Sequence, residues 1–241
     1  MKLLLRQKKF CLLILFLAIS NMSKAQTPGT TDAKNSMNSP SYKLEGNAQL
    51  TSNFVSRGLT QTNKDPGLQS AFWFNFGPQF RLGIWGSNVH YEGIDSHIWV
   101  RLNGDIKIDF SANANLVVKY SNNNYFPSNS RNGNTLGLHL DIYNVKVLYE
   151  MESNWEGTST SSTHFAFQKT FDVFGSWKWD NQLGYSMLKV DTSQNYFDLR
   201  SFIGSSNGAF EYKAGATWTS SPSQFNGRGD LFAIFTIGVN F

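Results

Sequence analysis

Leu231-Phe232-Ala233-Ile234-Phe235-Thr236-Ile237-Gly238-Val239-Asn240-Phe241 is the stretch that decides the fold. In an extended chain Leu231, Ala233, Phe235, Ile237, Val239 and Phe241 share one face, and Thr236, Gly238 and Asn240 lie on the other. A period of two marks a strand whose faces meet different surroundings. No helical period interrupts it anywhere after Tyr42. The same alternation recurs upstream and predicts strands over 44–56, 67–76, 80–89, 97–110, 114–122, 134–141, 145–153, 162–169, 175–187, 196–204 and 209–218. With 231–241 that makes twelve.

The connections alternate in length. Gly77 to Gln79, Ser111 to Asn113, Ile142 to Asn144, Thr170 to Phe174 and Ser205 to Gly208 are short. Between them lie longer links at 57–66, 90–96, 123–133, 154–161, 188–195 and 219–230. Short turns at one rim and long loops at the other describe an up-and-down antiparallel transmembrane β-barrel. The predicted fold class is therefore all-β, a closed barrel of about twelve strands, with both ends of the barrel domain (43–241) at the short-turn rim.

Charge placement points the same way. One set of strand faces collects seventeen charged side chains, among them Arg81, Arg101, Lys119, Glu150, Asp198, Arg200, Glu211 and Lys213, whereas the other carries Lys169 alone. A lysine or arginine facing hydrocarbon at mid-depth costs about 2–4 kcal/mol, which explains a clean apolar face. A soluble lipocalin-like barrel would turn that face inward. Such barrels have about eight strands, and twelve would leave a wide interior to fill. Trp73, Trp85 and Trp99 among the charges are also odd for a solvated exterior. Phe72, Phe74, Phe76, Trp177, Trp179, Tyr212 and Trp218 fall on the apolar face, several near strand ends where aromatic rings can sit at headgroup level.

The chain has 241 residues, 40% hydrophobic, 15% aromatic and 16% charged, with one cysteine and a formal charge of +4. Lys2, Arg6, Lys8 and Lys9 precede an apolar run from Phe10 to Ile19 and the small-residue site Ser23-Lys24-Ala25. This order predicts a cleaved signal peptide over 1–25; ten apolar residues are too few to span a bilayer. The segment holds five of the 21 basic residues and no acidic one, so the mature chain would carry −1. That removes the basis for a nucleic-acid partner. The mature chain would also lack cysteine, so an exported protein must be closed by something other than disulfides. Residues 26–42, rich in Thr, Ser, Asn, Pro and Gly, are expected to be a flexible periplasmic lead-in.

Ser52-Asn53-Phe54-Val55-Ser56-Arg57-Gly58-Leu59-Thr60-Gln61-Thr62, followed by Asp65-Pro66-Gly67-Leu68-Gln69, resembles the TorF-type porins, as does Gly83-Ile84-Trp85-Gly86-Ser87-Asn88-Val89. These motifs span about 40 residues. The resemblance implies a small barrel in the outer membrane of a Gram-negative bacterium, with a role in transport and no catalytic residue to carry over. Gly93-Ile94-Asp95-Ser96-His97 departs from the acidic pair that often opens the family's fourth strand. Phe241 resembles the terminal aromatic by which barrel-assembly machinery recognises such proteins.

A twelve-strand barrel is intermediate between one filled by side chains and one with an open aqueous channel. The expected function is a narrow channel for small polar solutes, lined by the eight charged residues named above, with outer-membrane lipid around it. Nearly balanced inward charge predicts weak selectivity, or salt bridges across a partly filled lumen. Arg57, with Gln61 and Asp65, either lies in the mouth and attracts carboxylate or phosphate groups, or fixes a tight loop against the wall; the second is preferred. Two other classes stay open. One is a non-conducting scaffold or adhesin acting through its long loops, such as Asn122 to Pro127 and 219–230. The other is an outer-membrane hydrolase, for which His139 and His164, on neighbouring strands facing the lumen, are the histidines to consider. No nucleophile elbow, zinc spacing or phosphate-cradling glycine loop is present, so no metal, cofactor or catalytic residue is expected.

Overall fold

The computed structural model describes residues 42–189 and 194–241; the expected signal peptide and nearly all of the lead-in lie outside these. The strands are β1 (Tyr42–Thr51), β2 (Val55–Ser56), β3 (Leu59–Thr60), β4 (Gly67–Phe76), β5 (Phe80–Asn88), β6 (Ser96–Ser111) and β7 (Ala114–Pro127). They continue with β8 (Gly133–Ile142), β9 (Val145–Glu152), β10 (Ser162–Phe174), β11 (Trp177–Leu188), β12 (Tyr196–Asn207), β13 (Phe210–Thr219) and β14 (Phe232–Asn240). Twelve of these form one closed antiparallel barrel in the order β1-β14-β13-β12-β11-β10-β9-β8-β7-β6-β5-β4, and β2 with β3 forms a separate ribbon in the first long loop. Closure gives every barrel strand a neighbour on both sides, so the wall has no edge strand of the kind an open sheet presents.

The apolar residues are outside. Along β4, Gly67, Gln69 and Ala71 are buried while Leu68, Phe72, Phe74 and Phe76 are exposed, and Phe167, Leu183, Phe197 and Phe235 continue the exposed belt round the ring. The inward positions hold Thr, Ser, Asn, Gln and charged residues, many of them buried. All seven aromatics expected on the apolar face are exposed there. A soluble barrel would have reversed this arrangement. Lys169, on the outer face of β10 where its pairing with β9 ends, lies over the Phe171 ring and donates to Asn144.

Three strand ends differ from expectation by five residues each. β1 stops at Thr51 because the chain then turns inward: the Thr51 hydroxyl donates to the Asn53 carbonyl at 3.1 Å, and Asn53 Oδ1 accepts from the Thr60 hydroxyl. β7 runs on to Pro127, paired throughout with β6. Thr170 to Phe174, expected as a turn, is strand paired with β11, and the reversal is made by Gly175 and Ser176. Phe171 and Val173 keep the outward alternation going beyond where Lys169 suggested its end.

Among the described residues, the two buried apolar clusters lie at the long-loop end, inside the ring and under the loops. Leu59, Trp155, Leu188 and Tyr196 form one, with Phe225 against it. Val89, Tyr91, Trp99 and Tyr125 form the other, joined by Phe54, Trp85 and Ile94.

Candidate functional site

Residues 52–66 do not stand up from the rim; they fold down into the barrel. The β2–β3 ribbon ends in Arg57 and Gly58, both at positive φ (48° and 76°), the pattern of a type I′ turn. Gly58 is required twice over, since a Cβ there would lie 2.5 Å from Thr219 Oγ1 and 2.8 Å from Asp198 Cβ. The left-handed Arg57 costs about 1 kcal/mol and is offset by what holds it. Tyr196 donates its hydroxyl to the Arg57 carbonyl at 3.0 Å, and Thr219 Oγ1 donates to the Gly58 carbonyl at 2.6 Å.

The Arg57 side chain finishes the crossing. Nη2 donates to Glu150 Oε2 and Nη1 to Glu152 Oε2, each at 2.9 Å. Both glutamates are on β9, six strands round the ring from β1 in either direction. One arginine therefore ties opposite walls together. Burial works against its charge, but Glu150 and Glu152 outweigh burial and raise its pKa above the ordinary guanidinium value. Gln61 is buried nearby, donating to the Leu59 carbonyl at 2.9 Å and accepting from the Tyr91 hydroxyl at 2.8 Å. Asp65 is exposed on the loop's far side, 3.2 Å from His90.

Around this tip is a cavity of about 480 Å³. Arg57, Gln61, Arg101, Lys119, Glu150, Asp198 and Arg200 all line it, with Trp73, Trp85 and Trp99. Arg101 lies over Trp85 and Trp99, 4.8 and 4.5 Å from their ring centres, and Nε donates to Asn123 Oδ1 at 3.1 Å. The remaining lumen candidates sit apart from the cavity. Arg81 stacks on Trp73 and pairs with Asp105 at 2.6 Å. Glu211 and Lys213 pair with each other at 2.8 Å near the short-turn rim. Phe241 lies on the outer face: its ring packs over Gly46 and against Phe72, and its backbone exchanges hydrogen bonds with Gly46 at 2.7 and 2.9 Å.

Above the cavity, the long loops are locked together by residues that sequence reading passed over. Glu156 Oε2 accepts from Arg228 at 2.5 Å and from Arg131. Arg131 lies over Tyr91 at 3.8 Å, Arg228 lies over the same ring at 5.1 Å, and Arg228 also donates to the Thr60 carbonyl. Three long loops thus meet at one carboxylate, and its two arginines carry the link on to Tyr91 in a fourth loop and to Thr60 in the inward ribbon. Burial alone would raise the Glu156 pKa, but Arg228 and Arg131 bring it down to about 2. Nothing local in the sequence announces this set, because its hydrogen-bonded members are up to 168 residues apart.

The two histidines are not on neighbouring strands. His139 is on β8 and His164 on β10, with β9 between them. His139 Nε2 is 3.0 Å from Glu150 Oε1. His164 Nδ1 is 3.0 Å from Ser186 Oγ and 3.7 Å from Asp198 Oδ2. Both contacts use the same nitrogen, whereas a proton relay needs hydroxyl and carboxylate on opposite ring nitrogens. The close approach of Asp198 and His164 depends on Gly184, where a Cβ would lie 2.4 Å from the carboxylate.

Residues 34–113 match the family described as "Bacterial protein of unknown function (Gcw_chp)". No curated protein matches the chain in sequence. In structure it is similar to the KdgM porin, at 7% identity and a TM-score of 0.54, covering 82% of this chain and 97% of that one. The NanC porin is similar to the same degree, at 8% identity and a TM-score of 0.54, covering 83% and 99%. The likeness is one of fold. It extends over almost the whole of both small porins, so the present barrel matches them in size as well as in strand path.

Proposed function

We propose that this protein is a porin-type channel of the outer membrane, passing small polar solutes through a narrow lumen constricted by its own first long loop. The observation that carries the reading is the Arg57 tip, held across a polar cavity of about 480 Å³ inside a barrel whose outer face is apolar. A cavity in the range of about 300–1,000 Å³ accommodates small molecules. Hydrocarbon is the surroundings that an exposed belt such as Phe72, Phe167, Leu183 and Phe235 suits. On this reading the short-turn rim faces the periplasm, residues 1–25 direct export, Phe241 serves barrel assembly, and no chemistry is performed on the solute.

The test is reconstitution of the mature chain into planar bilayers and liposomes. Discrete conductance steps, with swelling in small neutral sugars and none in large ones, are the expected result. A folded barrel giving neither would make it a scaffold whose loops are its working surface.

A further inference from the structure

Balanced totals hide an asymmetry in how the inward charges are committed. The carboxylates of the cavity are either paired or closed off. Glu150 accepts from Arg57 and contacts His139, Glu152 accepts from Arg57, and Asp198 Oδ2 is buried beneath Gly184 and His164 without a donor. The cations are not. Among the described residues Lys119 and Arg200 have neither a hydrogen bond nor an ion pair, and Arg101 uses only Nε, leaving both terminal nitrogens free. Lys119 and Arg101 stand on neighbouring strands β7 and β6, and Arg200 on β12, diametrically across the ring from β6. All three line the same cavity.

From this we infer an oxyanion-binding site at the constriction, built by Arg101, Lys119 and Arg200 and taking small solutes that carry carboxylate or phosphate groups. The inference deepens the channel reading and rests on it for the transport half of its test. A guanidinium with two free terminal nitrogens matches a carboxylate or phosphate edge in a bidentate way. Arg101 is held ready by its two tryptophans and Asn123, so little side-chain freedom is lost when the anion arrives. An entering cation meets carboxylates whose oxygens already accept from arginine or are closed off. A cleft with one sign of available charge raises the local concentration of the opposite ion.

Two measurements on the mature, folded barrel test this. In a bilayer with a salt gradient, chloride should permeate over potassium by about tenfold, the lower end of what charge focusing produces. The combined variant Arg101→Gln/Lys119→Gln/Arg200→Gln should lose that preference, and Lys178→Gln, a cation already paired with Asp172 at the short-turn rim, should keep it. In detergent, citrate and inorganic phosphate are titrated separately against tryptophan fluorescence, with sucrose as the neutral probe. Saturable change from either anion, lost in the triple variant and restored when arginine replaces glutamine at 101 and 200, is the expected result; which anion binds more tightly decides between carboxylate and phosphate. Gel mobility of the unheated triple variant shows whether the barrel has formed, and single variants are used if it has not. Conductance without anion preference, together with flat titrations, overturns the site and leaves the channel standing. Absent conductance with saturable anion binding overturns the channel and leaves the site.

Discussion

The two halves of this barrel handle charge in opposite ways. At the short-turn rim the ion pairs are local and wet: Lys43 with Glu45, Lys107 with Asp109 and Lys213 with Glu211 are each two residues apart on one strand and a third or more exposed. At the long-loop end the pairs are largely buried and join distant segments: Arg57 to Glu150 and Glu152, and Glu156 to Arg131 and Arg228. Exposed pairs contribute little, about 0–1 kcal/mol, whereas removing one partner of a buried pair costs about 3–5 kcal/mol because a charge is left stranded. One rim is decorated with charge and the other is built from it.

That contrast is most sharply tested at Glu156. Glu156→Gln leaves Arg131 and Arg228 facing each other under the loops, and should destabilise the folded barrel by about 3–5 kcal/mol in urea titration in liposomes. The same variant shows the pH dependence. Glu156 titrates near pH 2 in the folded chain and at an ordinary carboxylate value when unfolded, so its stabilisation is complete above about pH 4.5 and fades as pH falls towards 2. The gap in denaturation midpoint between wild type and Glu156→Gln should therefore narrow over that interval and be constant above it. A gap that stays constant down to pH 2 would show that the carboxylate does not hold the loops.

Arg57→Gln should come next, costing about 2–4 kcal/mol, less than Glu156→Gln because Glu150 keeps its contact with His139. It also frees the tip from β9, so larger current steps are expected in bilayer recordings. Gly58→Ala should cost about 1–3 kcal/mol, from crowding against Thr219 and Asp198 and from the left-handed backbone. At the other rim, Lys43→Gln should move stability by no more than about 0.5 kcal/mol. If Lys43→Gln and Arg57→Gln have equal effects, the two rims do not differ as described.

The legible part of the molecule was whatever a period of two enforces. Outward positions such as Leu68, Phe72 and Phe74 had to be apolar and inward ones such as Gln69 and Trp73 were free to be anything else, so each strand stated its own phase. Turn length added the topology. The interior of the long-loop end obeys no period. The Asn53–Thr60 and Arg57–Glu150 contacts follow from a loop bending inward, and the same Ser, Asn and Thr residues would suit a loop in water. Lys169 ended an expected strand early for a related reason: the rim tolerates a cation that mid-depth would not. Counting charges gave near neutrality because it assigns no partners, and the partners depend on which walls face each other.

β1 meets β14 over only five register pairs, Asn47–Thr51 against Thr236–Asn240, while its other side meets β4 over ten. The join between first and last strand is thus the thinnest seam of the cylinder, and Phe241 clamps its lower end onto Gly46. Its two lips are nearly two hundred residues apart along the chain, so no run of hairpins short of the full set can make it. Assembly is all or nothing at this line: a sheet of eleven strands has two raw borders, and the twelfth removes both at once.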